Sequence, residues 1–173
     1  FTHMLQLTKT AGPNDFLSNI FGSVFQSNMF VPGWMIEGIT VYSESQHSPY
    51  EGRLNDGYFD AFLKVNIKEN KFIDVANAQY NLDEYPGRGI IYYYGGMFHR
   101  YLAETYGEEK FAQLYELIGS DLMSLYGSFV PSVSFDGKAK EVYGKTFPEL
   151  WDEWYESIKS RLTYSDNEFY TVA

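Results

Sequence analysis

The chain has 173 residues, 45% hydrophobic and 19% aromatic, enough for one buried core and too apolar for a disordered segment. A formal net charge of -10 argues against nucleic acid or an anionic membrane surface as a partner, because both need clustered Lys and Arg. There is no cysteine, hence no disulfide framework or thiolate chemistry, and no apolar run long enough to span a bilayer.

The elements read in chain order as mainly helical. Residues 1–11 continue a helix through Met4, Leu5 and Leu7, which Gly12-Pro13 stops. Asn14 caps a second helix over 15–27, with Phe16, Leu17, Ile20, Phe21, Val24 and Phe25 at amphipathic spacing. Pro32-Gly33 breaks again, and 34–44 form a short helix carrying Glu37 and Glu44. Ser, Pro, Gly and Asn over 45–57 predict a loop, followed by a helix over about 55–68 and an irregular stretch over 69–89.

From Ile90 a long helix runs to Tyr106, softly interrupted at Gly95-Gly96. After Gly107 another helix places Phe111, Leu114, Tyr115 and Ile118 on one face and ends at Gly119. Thr146-Phe147-Pro148-Glu149 is a capping box with Pro in the first turn, opening a helix striped with Leu150, Trp151, Trp154, Tyr155, Ile158 and Leu162. Residues 163–173 read as a tail or linker, so 1–162 is expected to be the domain. No internal repeat and few convincing strands are present.

Four residues stand out chemically. Phe1-Thr2-His3 matches the end of an H-E-x-x-H motif, in which two histidines share a helix face around a general-base glutamate. Two His and one Glu are a common ligand set for catalytic zinc, so His3 and Glu37 are the candidate metal ligands. Glu44 lies two turns beyond Glu37 on the same face and could orient a ligand imidazole. Taken singly, each acid is better read as a solvated residue on an amphipathic helix, and it is Trp34 before Glu37 and Gly38 after it that favour a site.

Tyr92-Tyr93-Tyr94 precedes Gly95-Gly96, where one phenol could donate to an oxyanion; the alternative is aromatic core. His47 reads as a surface residue and His99 as a buried, hydrogen-bonded one. Arg53 and Arg88, both in glycine-containing loops, could pair with Glu44 or with a peptide carboxylate.

These motifs in order resemble the gluzincin metallopeptidases, most of all the peptidase MA-like domains found beside TolB-like β-propellers. Those domains show H-E-x-T-H, then W-x-x-E-G-x-x-x-Y-x-E, matched here by Phe1-Thr2-His3 and by Trp34, Glu37, Gly38, Tyr42 and Glu44. Tyr92 through Phe98 is similar to the family's Y-x-x-G segment, with Tyr92 favoured by its spacing to Gly95 and Tyr93 and Tyr94 left open. Phe147, Glu149, Leu150, Trp151 and Trp154 resemble its F-x-E-L-W-x-x-W closing helix.

The resemblance implies the C-terminal helical part of a zincin-like catalytic domain, hydrolysing peptide bonds with zinc. It implies His3 and Glu37 as ligands, Glu44 behind them, and Tyr92 as oxyanion donor. The substrate would be a peptide or protein, the location extracytoplasmic, and a β-propeller a possible neighbour. The first His and the base Glu of the motif do not occur in the chain, so by itself it is expected to bind zinc weakly and to cleave nothing. His3 and Glu37 are 34 positions apart, wider than in the aminopeptidase branch, which puts the 15–27 helix between the ligands. The alternative is a non-catalytic domain of the same fold that binds peptide or glycan, or acts as a scaffold.

Overall fold

A computed structural model describes residues 31–80, 87, 89–120 and 131–169. Among these are six α-helices and no strand: α1 (Gly33–Glu44), α2 (Tyr58–Lys68), α3 (Ile90–Tyr106), α4 (Glu108–Ser120), α5 (Pro131–Tyr143) and α6 (Phe147–Phe169). A 3-10 turn, Asn77–Gln79, sits in the irregular stretch before α3. The expected helices over 1–11 and 15–27 lie outside the described residues.

The packing of α1 on α3 organises the molecule, and glycine makes it possible. Helix α1 buries Trp34, Met35, Gly38, Val41 and Tyr42, one stripe at helical spacing. A Cβ on Gly38 would lie 2.5 Å from the carbonyl carbon of Gly95, and one on Gly95 would lie 2.3 Å from the Trp34 carbonyl oxygen. The two backbones therefore approach as closely as only glycine permits. Gly95 and Gly96 do not interrupt α3, contrary to the sequence expectation; burial against α1 outweighs their low helix propensity.

An aromatic core grows outward from this crossing. Trp34 meets Phe98, Phe147 and Trp151 edge-on, with ring centroids 5.5, 5.2 and 5.7 Å apart. Tyr94 stacks on Trp151, and Trp151 meets Trp154 edge-on at 4.9 Å. Such pairs add about 0.5–1.5 kcal/mol each beyond area burial. The irregular segment before α3 is sewn to the core by the backbone of Ile73. Its N–H donates to the Tyr94 hydroxyl (3.2 Å), and its carbonyl accepts from Trp151 Nε1 (2.9 Å).

The capping box forms as expected: the Thr146 N–H donates to Glu149 Oε2 at 2.7 Å. One helix was not expected, and one boundary moves. Helix α5 was not evident from the sequence; it buries Phe135, Ala139, Val142 and Tyr143. Helix α6 runs past Leu162 to Phe169, so the expected tail begins as helix. Residues 163–169 contain neither Gly nor Pro to stop it.

Candidate functional site

The motif residues of α1 divide between two faces. Trp34, Gly38 and Tyr42 serve the core, and the Tyr42 hydroxyl ties α1 to α4 by donating to Glu108 Oε1 at 3.2 Å. Burial, with Glu108 beside it, pushes the Tyr42 phenol up to about 12. Glu37 and Glu44 are half-buried on the other side.

Arg53 joins that second face together. Its backbone N–H and Nε–H both donate to Glu44 Oε1, at 3.3 and 2.6 Å, and Nη2–H donates to Glu44 Oε2 at 3.2 Å. This two-oxygen grip is the strongest geometry available to an arginine. It holds the Glu44 carboxyl below its ordinary range. The guanidinium also lies over the Tyr92 ring, 5.2 Å from its centroid. Glu44 raises the Arg53 pKa most, and the charges of Tyr92 and Glu37 add smaller contributions in the same direction. Glu44, Arg53 and Tyr92 thus form one cluster built from α1, the following loop and the first turn of α3, with Glu37 near enough for its charge to act on Arg53.

The loop that presents Arg53 is irregular but thoroughly tied. Ser45 Oγ donates to the Val41 carbonyl (2.8 Å) and accepts the Leu54 N–H (3.2 Å). The Asn55 side-chain amide reaches the carbonyls of Ser45, Ser48 and Glu51. From α3, Arg100 donates to the Leu54 carbonyl at 2.8 Å and to Asn55 Oδ1 at 2.7 Å. Gly52, at φ +87°, passes so close to Ser45 that a Cβ would sit 2.4 Å from its Cα. Arg53 is therefore displayed from a scaffold anchored to both α1 and α3.

The tyrosine triplet is sorted by the helix turn of about 100° per residue. Tyr94 is core. Tyr93 packs on Phe59, Phe62 and Tyr58, with centroids 4.7, 4.5 and 5.8 Å away. Tyr92 alone of the three lies under Arg53. Gly89, left-handed at φ +102°, caps the helix and accepts the Tyr92 N–H at 2.9 Å.

Behind the cluster, His99 is fully buried between α1, α3 and α4. Its Nδ1 lies 2.7 Å from the Gly95 carbonyl, and its Nε2 lies 2.5 Å from the Tyr115 hydroxyl. Nδ1 must carry the proton to face a carbonyl, so Nε2 is an acceptor, and the single Tyr115 proton is shared between Nε2 and the Met35 carbonyl, 3.1 Å from the hydroxyl. Burial drives the imidazole down to about 4 and keeps it neutral. The buried, hydrogen-bonded role expected for His99 is what the geometry displays.

His47 is exposed, as expected. His3 and Arg88 lie outside the described residues. Of the expected zinc ligands, the described residues thus supply Glu37 alone: a carboxylate held on a rigid helix, a donor type that zinc accepts. Among the described residues, no three His, Asp or Glu side chains cluster to hold a metal ion. Glu44 keeps acceptor capacity for an imidazole N–H. Arg53 takes both lone-pair sites of Oε1 but one of Oε2. Sequence reasoning named Arg53 as a possible partner of Glu44 without ranking it. It missed the Asn55 and Arg100 clamp, for which an Asn inside a Gly/Ser loop is a weak signal.

No family model matches the chain, and no solved structure does. An uncharacterized protein of Treponema pallidum (strain Nichols) is 31% identical over 131 residues. The match covers 74% of this chain and 11% of that protein, so the chain spans about a tenth of the length of the relative it matches.

Proposed function

We propose that this chain is part of a zinc-dependent peptidase of the gluzincin kind. His3 and Glu37 are its metal ligands, Glu44 their support and Tyr92 its oxyanion donor. The observation that supports the reading is the meeting of Glu44 and Tyr92 at Arg53. Glu44 and Tyr92 come from two motifs that are distant in the sequence.

A zinc ion held by His3 and Glu37 would supply Lewis acidity toward a scissile carbonyl and would make water nucleophilic near neutral pH. The chain's own part is positional. Glu37 offers its carboxylate from a helix locked by the Gly38–Gly95 approach. Tyr92 presents a phenol O–H from the first turn of α3, able to donate to a carbonyl oxygen as that atom gains charge. The reading needs a general base and a first histidine supplied from outside these residues.

The test is peptide hydrolysis by a longer protein that carries this chain, with and without a chelator. Activity lost on chelation and restored by zinc supports the reading. Tyr92→Phe should then lower kcat by roughly 10²–10³ with little change in KM. Peptide binding without hydrolysis, unaffected by chelation, would favour the non-catalytic binding domain instead.

A further inference from the structure

Arg53 belongs to none of the matched motifs, yet it touches more of the cluster than any motif residue does. Its charge is already balanced by Glu44, which leaves it a poor dock for a peptide carboxylate, the other role its sequence position suggests. Its geometry suits a different task. The guanidinium is planar, grips both oxygens of Glu44 along one edge, and has its carbon over the Tyr92 ring, 5.2 Å from the centroid. Its backbone is fixed as well, by its own N–H to Glu44 and by the Asn55 and Arg100 clamp on the next two residues.

We propose that Arg53 is a positioning residue: anchored by Glu44, its guanidinium sets where the Tyr92 ring lies. The inference rests on the peptidase reading for its consequence in catalysis, but the positioning itself is a property of the chain alone. It also gives Glu44 a second task, since the carboxylate that could steady an imidazole also aims the arginine. Lysine cannot replace this function, because an ammonium cannot hold two carboxylate oxygens and cover a ring at once.

The test is Arg53→Lys, which keeps the charge and loses the plane. In an active longer protein, kcat should fall about tenfold while KM stays within about twofold, the pattern of an interaction that matters in the transition state. In the Tyr92→Phe background, Arg53→Lys should cause no further fall, because residues acting through one another are non-additive. In this chain by itself, the Tyr92 ring resonances, assigned by their loss in Tyr92→Phe, should shift in Arg53→Lys. Should Arg53→Lys fail to fold, Glu44→Gln gives the same ring shift at smaller size, since the amide offers one acceptor oxygen instead of two. A full additional loss of kcat in the Tyr92→Phe background, or ring resonances that do not move, overturns the proposal. If the longer protein hydrolyses nothing, the peptidase reading fails, and the ring resonances still decide whether Arg53 positions Tyr92.

Discussion

Helix α3 shows two kinds of side-chain environment within three residues. Tyr94 is wholly buried, stacked on Trp151 and bonded to the backbone of Ile73. Tyr92 is half-buried under a charged guanidinium. The same contrast divides α1 into Trp34 and Tyr42 on one side and Glu37 and Glu44 on the other. The core side is held by area and shape. The cluster side is held by one arginine and a strapped loop. Changes on the first should cost stability, and changes on the second should cost chemistry.

The sharpest way to break that division is a crossed pair. Trp151→Ala removes a fully buried indole and its bond to the Ile73 carbonyl, and should lower unfolding free energy by about 3–5 kcal/mol. Tyr92→Phe should leave the denaturation midpoint nearly unchanged while producing the kcat loss given above. A Tyr92→Phe variant as unstable as Trp151→Ala would place Tyr92 in the core and erase the distinction.

His99 lies on the boundary between the two regions and makes it sensitive to pH. Its folded pKa, about 4, is below the ordinary value of 6.5, so the unfolded chain binds the proton first. Stability from this group is complete above 6.5 and is lost as pH falls toward 4. The loss should be on the order of 2–3 kcal/mol, at about 1.4 kcal/mol per pKa unit. Urea melts between pH 7 and 4.5 check it: the slope should flatten in His99→Asn, even though that variant is less stable throughout. An equal slope in both proteins would mean that other groups carry the acid sensitivity.

Two glycines sharpen the comparison further. Gly95→Ala must push a methyl to 2.3 Å from the Trp34 carbonyl and should cost about 1–3 kcal/mol or more. Gly137 lies inside α5 with nothing near its would-be Cβ, so Gly137→Ala should stabilise by about 0.5–1 kcal/mol. Equal effects from the two would deny the close approach of α1 and α3.

The smallest expected effect belongs to the Glu44–Arg53 pair. Arg53 lowers the Glu44 pKa, so its stability contribution is present above the ordinary glutamate value and disappears as pH falls through the folded pKa. With both side chains over a third exposed, the pair should contribute under about 1 kcal/mol, and Glu44→Gln should barely move the midpoint at neutral pH.

The core side was readable because apolar spacing reports burial directly. The stripes of α4 and α6, and the Thr146–Glu149 box, all appear in the structure as the sequence spells them. Helix α5 was missed because Pro131 and Gly137 resemble breakers and its apolar residues are sparse. On the cluster side, residue types were readable and partnerships were not. Nothing in the spacing of Arg53 from Glu44 or Tyr92 says that one guanidinium will meet both, because a loop's path is set by clamps such as Asn55 and Arg100 that leave no periodic trace.

The central claim, that Glu37 belongs to a zinc site beside Tyr92 and Arg53, is tested most directly by metal content. A longer protein carrying this chain should be purified with zinc, dialysed, and compared with its Glu37→Gln and Tyr92→Phe variants by elemental analysis. Near-stoichiometric zinc in the parent and in Tyr92→Phe, with most of it lost from Glu37→Gln, is the result predicted. Zinc content unchanged by Glu37→Gln, or no zinc in the parent, would contradict the assignment.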